Sequence, residues 1–421
     1  MRTDPSPAFT AEPQTSSLPR NFAWTLAGNL VYGASQWSVL SLIAKLGSGE
    51  MLGQYALALA VASPVAMLSH MNLRSVLATD VNRRHPFGDY LAVRIGATAL
   101  GLAAIALVVW LADFPAAVTA AVLILGLSLS AENISDVYYG LMQRRERMDQ
   151  IALSMMARGI VSAVALGAAL WITRDLMAAV IALAAGRILI LLTYDRPAGS
   201  EGEDLSRTEI RTQVEIARAA FPLGIVLMLV SLTANIPRYA IEHLLGAREL
   251  GVFAAVVTFM TAGATAVNAL GQSATPRLAR QFSGRDLAGF RRLAWKLAGL
   301  ALLLGAAGVL GAALAGRSVL AAIYRPEFEK HAGALVAIMG AGIFTNLAVA
   351  LGYVVTSARS FAVQVPLLTV VVATSAAASW TLVPSMGLNG AALAVAIAAA
   401  VQIAGQVWIL RHAIARLEPA S

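Results

Sequence analysis

Two carboxylates and two guanidinium groups stand inside stretches that are otherwise apolar enough to lie in lipid. There each charge costs about 2.5–3.5 kcal/mol unless it finds a partner or water. Glu132, Asp136, Tyr139 and Gln143 follow one another at i, i+4, i+7 and i+11, a spacing that sets them on one helical face. Ser154, Arg158 and Ser162 share a face of the next apolar stretch. The turn between the two centres near residue 145, so antiparallel pairing sets Arg158 level with Glu132. A second turn near residues 173–174 brings Arg187 to almost the same depth. Two chemistries fit this constellation. Arg158 and Arg187 form a basic site for an anionic headgroup, with Glu132 or Asp136 as an ion-coupling site, or the charges form a buried salt bridge that ties three helices together. A second arginine on one glutamate leaves a positive surplus, unless Asp136 also joins.

Uncharged polar residues add two further stripes. Thr25, Asn29, Tyr32 and Gln36 share a face near the start of the chain, and Thr258, Thr261, Thr265, Asn268 and Gln272 repeat at alternating steps of three and four. Such stripes either wall a hydrated cavity or hold helices together, each hydrogen bond in the second case worth about 0.6 kcal/mol. Arg74 opens a basic loop and can guide an anionic group inward or simply fix orientation. Arg238, next to Pro237, is expected to snorkel at a helix end. His70 is expected to be a hydrogen-bonded residue and not a ligand. Gly308, Ala312 and Gly316 form a series that favours close helix contact.

The elements that must position these residues are long apolar runs. Of 421 residues 58% are hydrophobic and only 13% charged, with a mean hydropathy of +0.71, so the solvent for most of the chain is lipid. In lipid only helices or closed barrels satisfy their backbone groups, and the runs lack the alternation of a barrel. Twelve helices are expected, near 21–43, 51–72, 90–111, 115–139, 151–172, 175–194, 214–236, 250–274, 293–314, 331–357, 361–382 and 387–410. They fall into two related halves. Ile43 through Ala56 matches Ile241 through Ala254 at an offset of 198, and Tyr139, Gln150 and Asp175 match Tyr353, Gln364 and Asn389 at 214. Arg145 likewise meets Arg359. The difference of 16 is assigned to a long link at Gly316–Lys330, against a short one near Asp113. Six helices per half is an even number, so the halves stand parallel, which is a transporter's plan. The expected divisions are a cytoplasmic tail at 1–20, lobes at 21–194 and 214–411, a linker at 195–213 and a second tail at 412–421. Alternate links collect about 19 Lys and Arg on one side, Arg83-Arg84 and Arg144-Arg145 among them, against about seven on the other. That asymmetry predicts both termini in the cytoplasm of a plasma membrane.

Several function classes drop out. The chain has no cysteine and five scattered histidines without ligand spacing, and it lacks a phosphate-binding glycine loop. No cofactor, metal or ATPase is expected. The net charge of +8 reads as orientation charge and not as a nucleic-acid footprint.

Asn21-FAW with Gly28-Asn29, Leu46-Gly47 and Leu52-Gly53-Gln54-Tyr55, Leu73-Arg74-SVLATD with FGDY, and Gly387-LNGAALA together resemble a bacterial polysaccharide flippase of the multidrug/oligosaccharidyl-lipid/polysaccharide exporter superfamily. The resemblance spans almost the whole chain. It implies two six-helix lobes in a V around a cationic cavity, and transfer of an undecaprenyl-pyrophosphate-linked oligosaccharide across the inner membrane for O-antigen or exopolysaccharide synthesis. It also implies a polymerase and related assembly proteins as partners. A cation-coupled multidrug exporter of the same superfamily is the alternative, favoured by Glu132 and Asp136 but not by the neutral first helix. A polysaccharide-joining membrane enzyme ranks last, because the outer links are short.

Overall fold

The computed structural model describes residues 18–80, 84–203, 205, 208–358 and 363–415. Most of both expected tails lies outside these residues, as do Arg83 and Arg359. The described chain is helical: α1 Leu18–Leu46, α2 Gly49–His70, α3 Leu73–Thr79, α4 Phe87–Ala112, α5 Ala116–Arg144, α6 Met148–Thr173, α7 Leu176–Ile190, α8 Arg196–Ser200, α9 Ile210–Leu245, α10 Ala247–Ser283, α11 Leu287–Ile323, α12 Ala332–Ser357 and α13 Gln364–Ala415. Ten helices are long and apolar enough to cross a membrane. α1, at 29 residues, adds one more crossing. The 52-residue α13 supplies two, because Gly387 leaves the helical region at φ 57° and folds it into two arms. Twelve crossings result, as the apolar runs predict.

The two halves repeat each other's contacts. α1 lies along α6 as α9 lies along α13, α2 meets α5 as α10 meets α12, and α4 meets α5 as α11 meets α12. The insertion of sixteen residues is a partial correction to the sequence reading. α11 has 37 residues where α4 has 26, and the remaining five fall in the link that contains the short helix Pro326–His331. Gly316–Ile323 is thus helix and not loop. The small-residue series does serve close contact: a Cβ at Gly308 would lie 2.4 Å from Met339 Cε and one at Gly305 2.9 Å from the Ile343 backbone. The expected linker also shrinks, since a π-helical turn at Leu191–Asp195 carries α7 directly into α8.

Both described ends emerge on one side, here the near face, and the opposite side is the far face. The lobes meet at the far face, and α9 also packs against α2 toward the near one. At the meeting point α2 crosses α10 through Gly53 and Gly251, equivalent positions in the two repeats. A Cβ at Gly53 would lie 1.7 Å from the Ala247 carbonyl oxygen, and one at Gly251 2.2 Å from that of Gly49. No other residue permits this approach. An aromatic plug lies beneath it. Trp37 Nε1 donates to the Tyr324 hydroxyl at 3.3 Å, Tyr324 donates to the Ala255 carbonyl at 3.0 Å, and Phe259 stands edge-on to both rings. Arg325 completes the closure by donating to the Lys45 and Gly47 carbonyls, at 2.8 and 2.7 Å. These are unsatisfied acceptors at and just beyond the C-terminal end of α1, where a cation is favoured.

Bulk at the crossing is expected to break the far-face seal. In this cysteine-free chain, a cysteine at Thr258 should react with a membrane-impermeant maleimide added to the far face at least about tenfold faster in Gly53→Leu than with Gly53 intact, equivalent to ~1.4 kcal/mol in the closing equilibrium. Equal rates would mean that the crossing does not seal the cavity.

Candidate functional site

The site is built around α5, the one helix that reaches the other helices of its lobe from the centre. Glu132 accepts from Arg187 Nη1 at 3.0 Å and from the Tyr32 hydroxyl, while Arg158 Nη2 lies 3.8 Å away. Arg158 is 3% exposed and Arg187 4%. Arg158 is held between the rings of Tyr32 and Tyr139, 5.3 and 5.4 Å from their centroids, a cation–π sandwich that substitutes for a close ion pair. The hairpin geometry deduced for Glu132, Arg158 and Arg187 is therefore present.

One turn along α5, Asp136 does not join this cluster but organises a second. His70 Nε2 lies 3.1 Å from it, Arg74 Nη1 3.6 Å and Arg94 Nη2 3.8 Å. His70 Nδ1 accepts the Asn72 backbone N–H at 3.2 Å, so Nε2 is the nitrogen that donates to Asp136. Arg74 also donates to Gln143 at 2.9 Å. Arg94, fully buried, donates to the Ser69 carbonyl at 3.0 Å. It was not singled out from sequence, although an arginine inside an apolar run is the same signal that identified Arg158. Each carboxylate thus faces two arginines, and the surplus expected for one cluster occurs twice.

Between the lobes lies a cavity of about 720 Å³. Asn29, Gln36 and Trp37 line it from α1, Ser63 from α2, Asn235 and Arg238 from α9, and Thr258, Thr261 and Thr265 from α10. Among the described residues Arg238 is its only charged lining residue, and none of its lining residues is an acid. The sequence reading of Arg238 as a snorkelling helix-end residue is corrected. Arg238 lies seven residues before the end of α9 and is braced by donating from Nη1 to Asn235 Oδ1. The three threonines spend their protons on backbone carbonyls of Ala254, Thr258 and Thr261, so toward the cavity they present acceptors.

Arg158 and Arg187 do not line this cavity. Arg187 reaches its wall through Gln36, donating from Nη2 to Gln36 Oε1 at 3.1 Å and so turning the amide's own N–H groups outward. Asn268 does not line it either and accepts from Tyr353 at 3.1 Å, while Gln272 is exposed further toward the near face. The lobe seams are unequal. α2 lies along α9, whereas its counterpart α1 touches α10 only briefly. Leu30, which lines the cavity beside that loose seam, is 64% exposed. The side between α1 and α10 is therefore the loosely packed side of the cavity.

Removing Arg187 leaves Glu132 buried with one distant guanidinium. Arg187→Ala is expected to lower stability by about 3–5 kcal/mol, the cost of orphaning a buried charge. The midpoint of thermal unfolding in detergent measures it, and a Glu132→Gln/Arg187→Met pair should recover most of the loss.

The comparisons with known proteins agree with this architecture. A family model described as polysaccharide biosynthesis protein matches residues 18–282. The capsular polysaccharide biosynthesis protein CapF of Staphylococcus aureus is 23% identical over 383 residues, covering 90% of this chain and 96% of the relative. Among solved structures, an inward-facing multidrug resistance MATE family transporter of the MOP superfamily superposes with a TM-score of 0.79 at 13% identity, over 94% of this chain and 99% of that one. Lipid II flippase MurJ in an inward closed conformation gives 0.75 at 11% identity, over 94% and 90%. The V-shaped fold and the resemblance read from the short motifs are both borne out. With well over half its length matched, the chain belongs to the polysaccharide biosynthesis protein family.

Proposed function

We propose that this protein is a flippase that carries an undecaprenyl-pyrophosphate-linked oligosaccharide across the bacterial inner membrane, for O-antigen or exopolysaccharide synthesis, by alternating access. The observation that carries this reading is the lining of the interlobe cavity, which has one arginine and no carboxylate. A pyrophosphate is a multiply charged acceptor that seats on a guanidinium, and Arg238 brings one to the cavity wall. Sugar hydroxyls are donors as well as acceptors. They suit the threonine oxygens on one wall and the amides of Asn29 and Gln36 on the other. Parting of the loosely packed α1–α10 side lets the polyprenyl tail stay in lipid while the headgroup crosses.

In this scheme Arg158 and Arg187 act from behind the wall. Their excess charge over Glu132 raises the potential beneath Gln36, in a medium where little water screens it. Arg74 serves the near-face mouth, which the basic links make cytoplasmic, with Asn268 and Gln272 extending the polar strip toward it. Glu132 and Asp136 are the candidate ion-coupling groups. A polymerase and related assembly proteins take the product on the far side. Chemistry on the sugar is not part of the scheme, because the cavity has no acid–base pair facing it.

The alternative of a cation-coupled multidrug exporter calls for acid in the cavity, and the two N-lobe carboxylates are occupied by arginines instead.

Proteoliposomes that hold a fluorescent undecaprenyl-pyrophosphate oligosaccharide test the proposal. The purified protein should bring the label to the outer leaflet, where an impermeant quencher reaches it, and Arg238→Ala should slow this about tenfold, a loss of ~1.4 kcal/mol. Ethidium efflux without movement of the lipid-linked sugar would sink the reading and install the drug exporter. New glycosidic bonds formed by the purified protein would install the enzyme.

A further inference from the structure

The π-helical turn at Leu191–Asp195 ends on a carboxylate that the transport scheme does not use. Asp195 is 0% exposed, although its place in the sequence suggests the start of a surface linker. Its Oδ1 accepts the Ser154 hydroxyl of α6. Ser154 has only one proton, already committed to Asp195, so the Tyr139 hydroxyl 2.5 Å away must be the donor to Ser154. A directed chain therefore runs from Tyr139 on α5 through Ser154 to Asp195. The other oxygen, Oδ2, makes no close hydrogen bond, and the group that faces the carboxyl on this side is the buried Ser135 hydroxyl of α5. Among the described residues Asp195 also forms no ion pair. The charges around it are Arg158 on α6, which is engaged with Glu132 and two tyrosine rings, and Arg196, which is exposed to solvent. Tyr138 on α5 and Tyr194 on the π turn are the remaining titratable neighbours, and Met142, Ile151 and Ala198 make the surroundings apolar.

An ionised carboxylate in such a place lacks what buried charges require. Ser135 can bond Oδ2 in either state, as donor to a carboxylate or acceptor from an acid, so what the ionised form lacks is a counter-charge, and the neutral acid needs none. We propose that Asp195 is a proton-binding site, occupied in this conformation, at the junction of α5, α6 and the π turn. π turns inside helices recur at functional positions. The proton also sets the charge of the neighbouring cluster. With Asp195 neutral, Glu132, Arg158 and Arg187 carry one net positive charge, and with Asp195 ionised the four groups balance. Proton release would thus offer Arg158 a second carboxylate and remove the surplus. None of this depends on what the cavity carries.

Infrared spectroscopy of the purified full chain tests it. The carbonyl stretch of a protonated carboxylic acid should be present near neutral pH, be lost on raising the pH, and be absent in Asp195→Asn. It should survive in Glu132→Gln and Asp136→Asn. Should Asp195→Asn fail to fold, Asp195→Glu keeps the acid and is expected to move the band in frequency without deleting it. A band that neither variant alters, or no band at any pH, overturns the proposal. Loss of the band on adding sodium at fixed pH would overturn it too, because the site would then hold a metal cation.

Discussion

Two carboxylates one turn apart on a single helix hold four guanidinium groups in a lipid-embedded lobe, and the rest of the arrangement follows from that. Without Glu132 and Asp136 the arginines at 94, 158 and 187 would be buried cations with no counter-charge, a state the lobe could not tolerate, and the half-buried Arg74 would lose its carboxylate. With them, α5 becomes the centre to which α1, α2, α3, α4, α6 and α7 are each tied by a polar contact. The excess of cation over anion is what such a core can export as potential to its surface. Gln36 is the point where it reaches the cavity, since its carbonyl is held by Arg187.

The second lobe is built on the same contacts but has no charged counterpart of the two carboxylates or of Arg158 and Arg187. At the 214 offset, Glu132 corresponds to Asn346, Asp136 to Ala350, Arg158 to Val372 and Arg187 to Val401. Asn346 is 3% exposed, so the position has stayed polar and buried while losing its charge. The duplicated backbone and the unduplicated charge separate two tasks. One lobe holds ionisable groups whose protonation or pairing can change, and the other presents hydroxyls and the lone Arg238 to the cavity.

How much of this could be read in advance depended on whether the signal was local. Membrane-length runs, the offsets of 198 and 214, and the level of Arg158 against Glu132 are sequence-near quantities, and each is found. Tertiary placement was harder. Arg238 looked like a helix-end residue because the apolar run thins after Asn235, yet α9 continues to Leu245 and turns the side chain inward between the lobes. Arg94 and Asp195 were hidden in the same way, one standing alone within its apolar run and the other counted with a linker. Asp89 of the FGDY segment was legible only as a motif. Its reason is a contact 120 residues away, where its Oδ1 accepts the Glu209 N–H at 2.7 Å and caps the start of α9. Long-range polar pairing leaves no periodicity to detect.

The crossing of Gly53 over Gly251 has a kinetic meaning. Two bare backbones that touch have no interlocked side chains to withdraw, so parting them demands no rotamer changes and loses little dispersion energy. The resistance to parting then rests with a few discrete hydrogen bonds, chiefly those of Arg325 and Tyr324. A door hung this way has a smooth face and a small bolt, and the strength of the bolt sets how often it opens.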